Sequence, residues 1–370
     1  MFVESLTMPI ISYILPLYNV ERYLAGCLDS IYAQNISEED FEVICVNDCS
    51  PDNSREIVLE YQKKHQNLVL IDHTENKKAG GARNTGLVAA KGEYVWFVDA
   101  DDSIAAGAAV AVLKACEKND LDALCFNYQL VYLNETKQEI VFEKSVVPAA
   151  GADFLLDVFG DGVVYHLGYA VRAVYRRELL LENKISFPEN LIYGEDTTFM
   201  AETCVCGQRV MAITDVLYNY HQREQSSSTQ LMVDMNGERI YESIFVAGGL
   251  VYQLKERAAM YSERLAKAIE KGLPWFVNRL FIRLVRTSRK ERKMFYNCLS
   301  NKRIYANTPP PRSYSRIWIR KIASLFDGLG WVRYYWVSYL GCIILNRKGS
   351  KILACGYSPD VNLQYLNLCL

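Results

Sequence analysis

The sequence predicts an α/β fold in which a mostly parallel sheet is flanked by helices, and three observations lead there. Short apolar runs rich in β-branched residues recur through the first hundred positions. Stretches with helical hydrophobic spacing separate them, and polar clusters follow the runs at their carboxyl ends. Near-continuous apolar strands alternating with amphipathic helices are what a parallel sheet covered on both faces requires.

The first strand is "ISYILPLY" (11–18), and behind it "VERYLAGCLDSIYAQ" sets Leu24, Leu28 and Ile31 on one helical face. "EVICVND" (42–48) is a second buried strand, and "SREIVLEYQKKH" a second helix with Ser50, Asp52 or Asn53 available to cap it. "LVLID" (68–72), a helix near 82–90, and "EYVWFVD" (93–99) repeat the unit. From about residue 236 the alternation gives way to helix patterns, so two regions are expected, 1–235 and a helical extension over 236–370.

Composition narrows the class. The chain has 370 residues, half of them apolar and 12% aromatic, enough to bury a large core or two modest ones. Its N-terminus, "MFVESLTMPIISYIL", has no basic segment ahead of an apolar run and no small-residue cleavage site, so no secretory signal is expected. The 11 cysteines are odd in number and mostly scattered singly in apolar segments, which reads as reduced and cytosolic. Cys204 and Cys206 form a lone C-x-C without the further ligands a zinc site needs nearby.

The net charge of −2 conceals a separation: residues 275–351 carry 17 Lys and Arg against Glu291 and Asp327, while residues 1–274 have 24 basic and 40 acidic side chains. In "WFVNRLFIRLVRTSRKERK", Arg279, Arg283, Arg286, Lys290 and Lys293 form a cationic stripe beside Phe276, Leu280 and Leu284. "NTPPPRSYS" (307–315) is a proline-marked break, and the later aromatic segment has only 12 uncharged residues after Arg333, short of the ~20 that span a bilayer. A solvated basic face would explain the stripe. With Trp318, Trp331 and Trp336 nearby, it also fits the surface of an anionic membrane, at the cytoplasmic face given the absence of a signal. Nucleic acid is not expected, because no recognised binding module is present and the acidic body would oppose it.

Ligands of such sheets bind at the carboxyl ends of strands. There the sequence places Pro16, Tyr18 and Asn19 after the first strand, Asn47, Asp48, Ser50 and Asp52 after the second, and Asp99, Asp101 and Asp102 after the fourth. No G-x-G-x-x-G follows the first strand and no Walker sequence occurs, which removes the common dinucleotide and P-loop solutions. "GGARNTG" (80–86) lacks the P-loop lysine but offers Arg83 and backbone N–H groups near a helix start, a phosphate neighbour. The aspartates of "YVWFVDADDSI" (94–104) need a positive partner, and Mg²⁺ or Mn²⁺ suits them, because hard cations take carboxylate oxygens and share substrate phosphates. An extended D-x-D would put Asp99 and Asp101 on one side. Asp102 or Ser103 has an equally good use as N-cap of the following helix.

"ISYILPLYNVERYLAGCLDSI", "VICVNDCSPDNS", "AGGARNTGL" and "YVWFVDADD" together resemble the successive motifs of the family 2 glycosyltransferases, over roughly residues 9–103. The resemblance implies the GT-A fold, Rossmann-like, and inverting transfer of a sugar from a nucleotide diphosphate donor, usually a UDP-sugar. It makes residues 1–235 the donor-binding and catalytic domain. It implies that Pro16, Tyr18 and Asp48 hold the nucleobase, that Asp99 lies near the ribose, and that Asp101 is the metal ligand. In "NLIYGEDTTFMAETC" (190–204) the Glu195–Asp196 pair matches the family's E-D, whose aspartate is usually assigned as base; without the resemblance, the pair would pass as acids at a helix start. "YNYHQREQSSST" (218–229) looks like the family's mobile catalytic loop, with Arg223 placed to pair with the departing diphosphate and His221 to reach it or the metal. The acceptor implied is a glycan or a lipid-linked oligosaccharide of surface polysaccharide synthesis. The competing readings are a nucleotidyltransferase or nucleotide-sugar hydrolase, and a non-catalytic scaffold that binds sugar nucleotides.

Overall fold

The computed structural model describes residues 10–132, 135–159, 169–189, 191, 194–222 and 240–269. All of these belong to the unit Met1–Arg286. Arg223 and the basic segment from Trp275 onward lie outside the described residues.

The first apolar runs become strands β1 (Ile11–Leu17), β2 (Phe41–Asn47), β3 (Leu68–Asp72) and β4 (Tyr94–Phe97), separated by helices α1 (Glu21–Tyr32), α2 (Ser54–Gln62) and α3 (Lys78–Ala89). They pair in the order β3-β2-β1-β4, all parallel. The rest of the sheet is mixed. A two-residue β5 (Ser103–Ile104) precedes α4 (Ala108–Asn119), and β6 (Ala123–Val131), β7 (Thr136–Glu139), β8 (Val146–Ala149), α5 (Gly151–Phe159), β9 (Ala173–Arg176), α6 (Arg177–Glu182), α7 (Glu195–Cys206) and β10 (Val210–His221) follow. Strand β9 is antiparallel to both β4 and β6, and β10 runs parallel to β6. Helix α8 (Ile240–Tyr261) closes the unit against α7.

Alternation along β1 divides two cores. Ile11, Tyr13, Leu15 and Leu17 point with Trp96 into a cluster that buries Leu24, Leu28 and Ile31 of α1 and Val112 of α4. On the opposite face, Phe97 packs edge-on against Phe187 and Phe199, with centroids at 5.0 and 5.5 Å. Helices α1 and α2 are tied at their starts by exchange of acids: Asp52 accepts the backbone N–H of Glu21 at 2.8 Å, and Glu21 accepts that of Asn53 at 3.0 Å. Of the three candidate caps for α2, Asp52 is the one that receives the N–H of Ser54, at 3.1 Å.

Two expectations need correction. The helix expected near 82–90 begins four residues earlier, at Lys78, so all of "GGARNTG" lies inside α3. Its glycines serve close packing: a Cβ on Gly86 would come 2.3 Å from Ile14 Cγ2, and one on Gly80 3.1 Å from the Pro188 carbonyl oxygen. The N-cap role offered to Asp102 or Ser103 falls to neither, since α4 starts five residues later behind Gly107, whose φ of 75° is left-handed. Among the described residues no helix is long and apolar enough to cross a membrane.

Candidate active site

The chain runs outward from β1 to β3 and returns to β4 on the other side of β1. The ends of β1 and β4 therefore flank the point where the strand order reverses, the place where open α/β sheets leave a crevice. Pro16 marks the parting. The carbonyl of Ile14 accepts the N–H of Val98 at 3.0 Å, and Pro16, two residues on, faces the same side, where β4 has already ended at Phe97. A proline there costs no ladder bond. Tyr18 follows, 40% exposed, and then Asn19, whose N–H donates to Ser50 Oγ at 2.8 Å. Asp48, at the end of β2, is buried, and its Oδ1 accepts from His73 Nδ1 at 2.8 Å and from the Lys77 N–H at 2.7 Å.

Beyond Phe97 the chain turns. The N–H of Asp102 donates to the Asp99 carbonyl at 2.9 Å, and the turn gathers Asp99, Asp101 and Asp102 so that ligand atoms of all three lie within 4.8 Å of one another. Alternation along an extended D-x-D, the expected device, is not what brings them together. Asp102 is the innermost: it accepts the Tyr218 hydroxyl and the His221 N–H, each at 2.8 Å. Burial, and then the charge of Asp99, pushes its carboxyl well above the usual range against those two hydrogen bonds. The Asp99 N–H donates in turn to the Tyr218 oxygen at 3.1 Å. The ring of His221 meets Ser103, with Nε2 at 3.0 Å from Oγ, and burial lowers its pKa.

Three carboxylates this close suit a hard divalent cation such as Mg²⁺ or Mn²⁺. Asp101 and the second oxygen of Asp99 are the groups that would hold it, since Asp102 is committed to Tyr218 and His221.

A second acidic pair stands beside the first cluster. Gly194, at a φ of 91°, turns the chain into α7, and Glu195 and Asp196 occupy its first turn with side chains 15% exposed. Arg83, from α3, lies between the two clusters. Its Nη2 donates to Asp99 Oδ1 at 2.7 Å, its Nη1 donates to Asp196 Oδ1 at 3.0 Å, and Glu195 Oε1 is 3.7 Å away. The guanidinium is 4% exposed, and its plane carries Phe187 at 5.1 Å. Burial alone would ease its proton off, but Asp196, Asp99 and Glu195 outweigh that and raise its pKa. Burial, and then the neighbouring Asp196 charge, pushes Glu195 up to about 8. Asp196 is also raised by burial, though Arg83 opposes the rise, and its Oδ2 accepts the Ala170 N–H at 3.2 Å. Of the two, Glu195 keeps its proton to higher pH and Asp196, nearer the arginine, is the carboxylate. Each oxygen of Asp196 retains a lone pair for a further proton.

The structure thus gathers Asp99, Asp101, Glu195, Asp196 and Arg83, with Asp48, Pro16, Tyr18 and Asn19 along the neighbouring strand ends. Three contributors had no individual reading in the sequence. Tyr218 is signalled only by lying two residues before Tyr220 on one strand face, His73 by following a strand end, and Ala170 contributes a backbone group.

Residues 12–181 match the model of the glycosyl transferase family 2. Over 213 residues the chain is 33% identical to the poly(ribitol-phosphate) beta-glucosyltransferase of Bacillus spizizenii, covering 57% of this chain and 32% of that one. It is 32% identical over 225 residues to the uncharacterized glycosyltransferase EpsJ of Bacillus subtilis, covering 59% and 62%. The chain therefore spans less than two thirds of either relative's length. The crystal structure of Staphylococcus aureus TarS 1–349 in complex with UDP-GlcNAc shares the fold, with a TM-score of 0.65 at 24% identity over 92% of each chain.

Proposed function

We propose that this chain, whose residues 12–181 match the model of the glycosyl transferase family 2, is an inverting, metal-dependent glycosyltransferase that moves a sugar from a UDP-sugar donor to a hydroxyl of a glycan or lipid-linked acceptor. The observation that carries the proposal is the Arg83 guanidinium, which joins the donor-side Asp99 to Asp196 in one buried cluster. Inversion needs a base on one face of the sugar and a stabilised leaving group on the other, and this cluster offers both within the reach of one side chain.

In this reading Asp48, Pro16, Tyr18 and Asn19 line the nucleobase side, and Asp99 the ribose. Asp101, with Asp99, holds Mg²⁺ or Mn²⁺, and the ion supplies charge neutralisation for the departing diphosphate. Asp196 accepts the proton of the acceptor hydroxyl through a lone pair not used by Arg83 or Ala170. Glu195, protonated near neutral pH, donates or stands aside without adding a second negative charge. Arg223 is assigned to the diphosphate by sequence alone, and His221 to its margin. The UDP-sugar is supported by the fold shared with a TarS fragment solved with UDP-GlcNAc. A polymeric acceptor is supported by the relative named for poly(ribitol-phosphate). The helical region 236–370 is proposed to meet the cytoplasmic face of an anionic membrane, on the composition of residues 275–351.

The test is a panel of nucleotide sugars, scored for donor hydrolysis and for transfer, with and without Mn²⁺. Metal-dependent release of UDP from one sugar donor is expected. Release of a nucleotide monophosphate would place the chain among nucleotide-sugar hydrolases, and tight UDP binding without turnover of any donor would make it a scaffold.

A further inference from the structure

Asp48 is a buried carboxylate whose partner is neither lysine nor arginine. Its side chain is 3% exposed and paired with His73, 6% exposed, through Oδ1 and Nδ1 at 2.8 Å. The same Oδ1 also accepts the Lys77 N–H at 2.7 Å, and Asn76 Nδ2 ties down the Asp48 backbone carbonyl at 3.0 Å. Among the described residues nothing donates to Oδ2. One oxygen is doubly held and the other is left as an acceptor in a fixed direction.

The far side of the imidazole is held as well. His73 Nε2 lies 2.8 Å from Thr85 Oγ1, and the Thr85 hydroxyl is 3.1 Å from the Gly81 carbonyl one turn back in α3. Asp48 accepts the Nδ1–H, and Nε2 meets the Thr85 hydroxyl, so both ring nitrogens have a partner. The backbone N–H of His73 donates to the Asn47 carbonyl at 2.9 Å, so the ring is anchored from its own main chain too. A histidine fixed at both nitrogens and at the backbone cannot swing, and neither can the carboxylate it grips.

We propose that His73 is a positioning residue for the donor's base: with Thr85 behind it, it holds Asp48 so that Oδ2 faces a ring N–H, which makes the site select uracil over cytosine. Uracil presents N3–H to an acceptor, whereas cytosine presents an N3 lone pair that a carboxylate oxygen repels. The inference rests on the nucleotide-sugar reading, which puts Asp48 at the nucleobase. A site built to receive one N–H rejects the base that lacks it, because a buried acceptor is then left unpaired.

The experiment measures UDP and CDP affinities by calorimetry with Mg²⁺ present, for the wild type, His73→Ala, His73→Asn and Thr85→Val. Both nucleotides carry the same diphosphate, so the metal's contribution cancels in the ratio. The wild type is expected to favour UDP. His73→Ala is expected to cut the UDP:CDP ratio by about tenfold, as loss of one aligned hydrogen bond does. His73→Asn, whose amide can replace Nδ1, restores most of the ratio, and Thr85→Val lowers it by a few fold. A folded His73→Ala that binds both nucleotides with the wild-type ratio overturns the inference. Should His73→Ala not fold, an unchanged ratio in Thr85→Val does so. A wild type that binds UDP without preferring it to CDP also overturns the inference, whereas a wild type that binds neither nucleotide removes the donor reading beneath it.

Discussion

Arg83 donates to Asp196 across 3.0 Å, although 113 residues separate the two in the chain. That bond crosses from the parallel half of the sheet to the mixed half, and it lets a cation neutralise the candidate base without consuming it. A lone carboxylate in this position would hold its proton; with Arg83 beside it, Asp196 is the acid that lets go first. Glu195, one residue earlier but 3.7 Å from the same nitrogen, takes the opposite state.

The first prediction separates the two acids. Asp196→Asn should abolish transfer, a fall of about 10²–10⁴-fold in kcat as loss of a general base produces, while UDP affinity stays near wild type. Glu195→Gln resembles the protonated glutamic acid already present and should retain kcat within several fold at pH 7. If Glu195→Gln is the dead variant and Asp196→Asn the active one, the assignment of base is reversed.

The second concerns stability against pH. Glu195 titrates at about 8 in the folded protein against 4.5 as its ordinary value, so between those limits the folded state binds a proton that the unfolded chain has released. Stability from this group is therefore full below pH 4.5 and declines as pH rises towards 8. Urea midpoints at pH 5.5 and 7.5 should drop further for the wild type than for Glu195→Gln. An equal drop in both proteins would remove Glu195 as the source.

Much of this arrangement was legible in the sequence because strand ends are punctuated by residue type. The four parallel strands, the buried stripe Leu24, Leu28 and Ile31, and the polar sets after β1, β2 and β4 follow from hydrophobic spacing alone. The sequence places the start of α3 four residues late, and the use of its glycines, the close approach of Gly86 to Ile14, depends on a neighbour distant in sequence. The carboxylates of Asp99, Asp101 and Asp102 do lie together, but a turn closed by the Asp102 N–H, and not strand alternation, makes them converge. Arg83 reads as a phosphate neighbour; its contacts with Glu195 and Asp196 of α7 are not legible, because a contact over such a distance in sequence leaves no local pattern.

The third prediction tests the cation. Asp101→Ala should weaken UDP binding in the presence of Mn²⁺ by tenfold or more, roughly one lost carboxylate ligand, and change it little in the presence of EDTA. Equal weakening with and without metal would mean that Asp101 contacts the nucleotide directly.

The fourth addresses packing beneath the site. A Cβ on Gly86 would stand 2.3 Å from Ile14 Cγ2, between α3 and the central strand. Gly86→Ala should therefore destabilise by about 1–3 kcal/mol, the ordinary range for overfilling a packed core, despite the gain in helix propensity. Chemical denaturation measures this directly, and a variant as stable as wild type would show that α3 can slide on β1.

The last prediction returns to Arg83. Arg83→Lys keeps a positive charge but replaces a planar fork by a point charge, which cannot donate along two fixed directions to Asp99 and Asp196 at once. The variant should fold, because the acids still have a cation, whereas Arg83→Gln leaves buried carboxylates uncompensated and should lose about 3–5 kcal/mol of stability. In Arg83→Lys the support for ionised Asp196 is weaker, so its pKa moves further up in the direction burial already drives it. Transfer requires that carboxylate without its proton. The acid limb of the kcat profile should therefore shift to higher pH, with kcat at pH 7 reduced and partly recovered at pH 8.5. A merely structural arginine would lower kcat equally at every pH, and a flat ratio of variant to wild type across the profile would assign Arg83 to the scaffold.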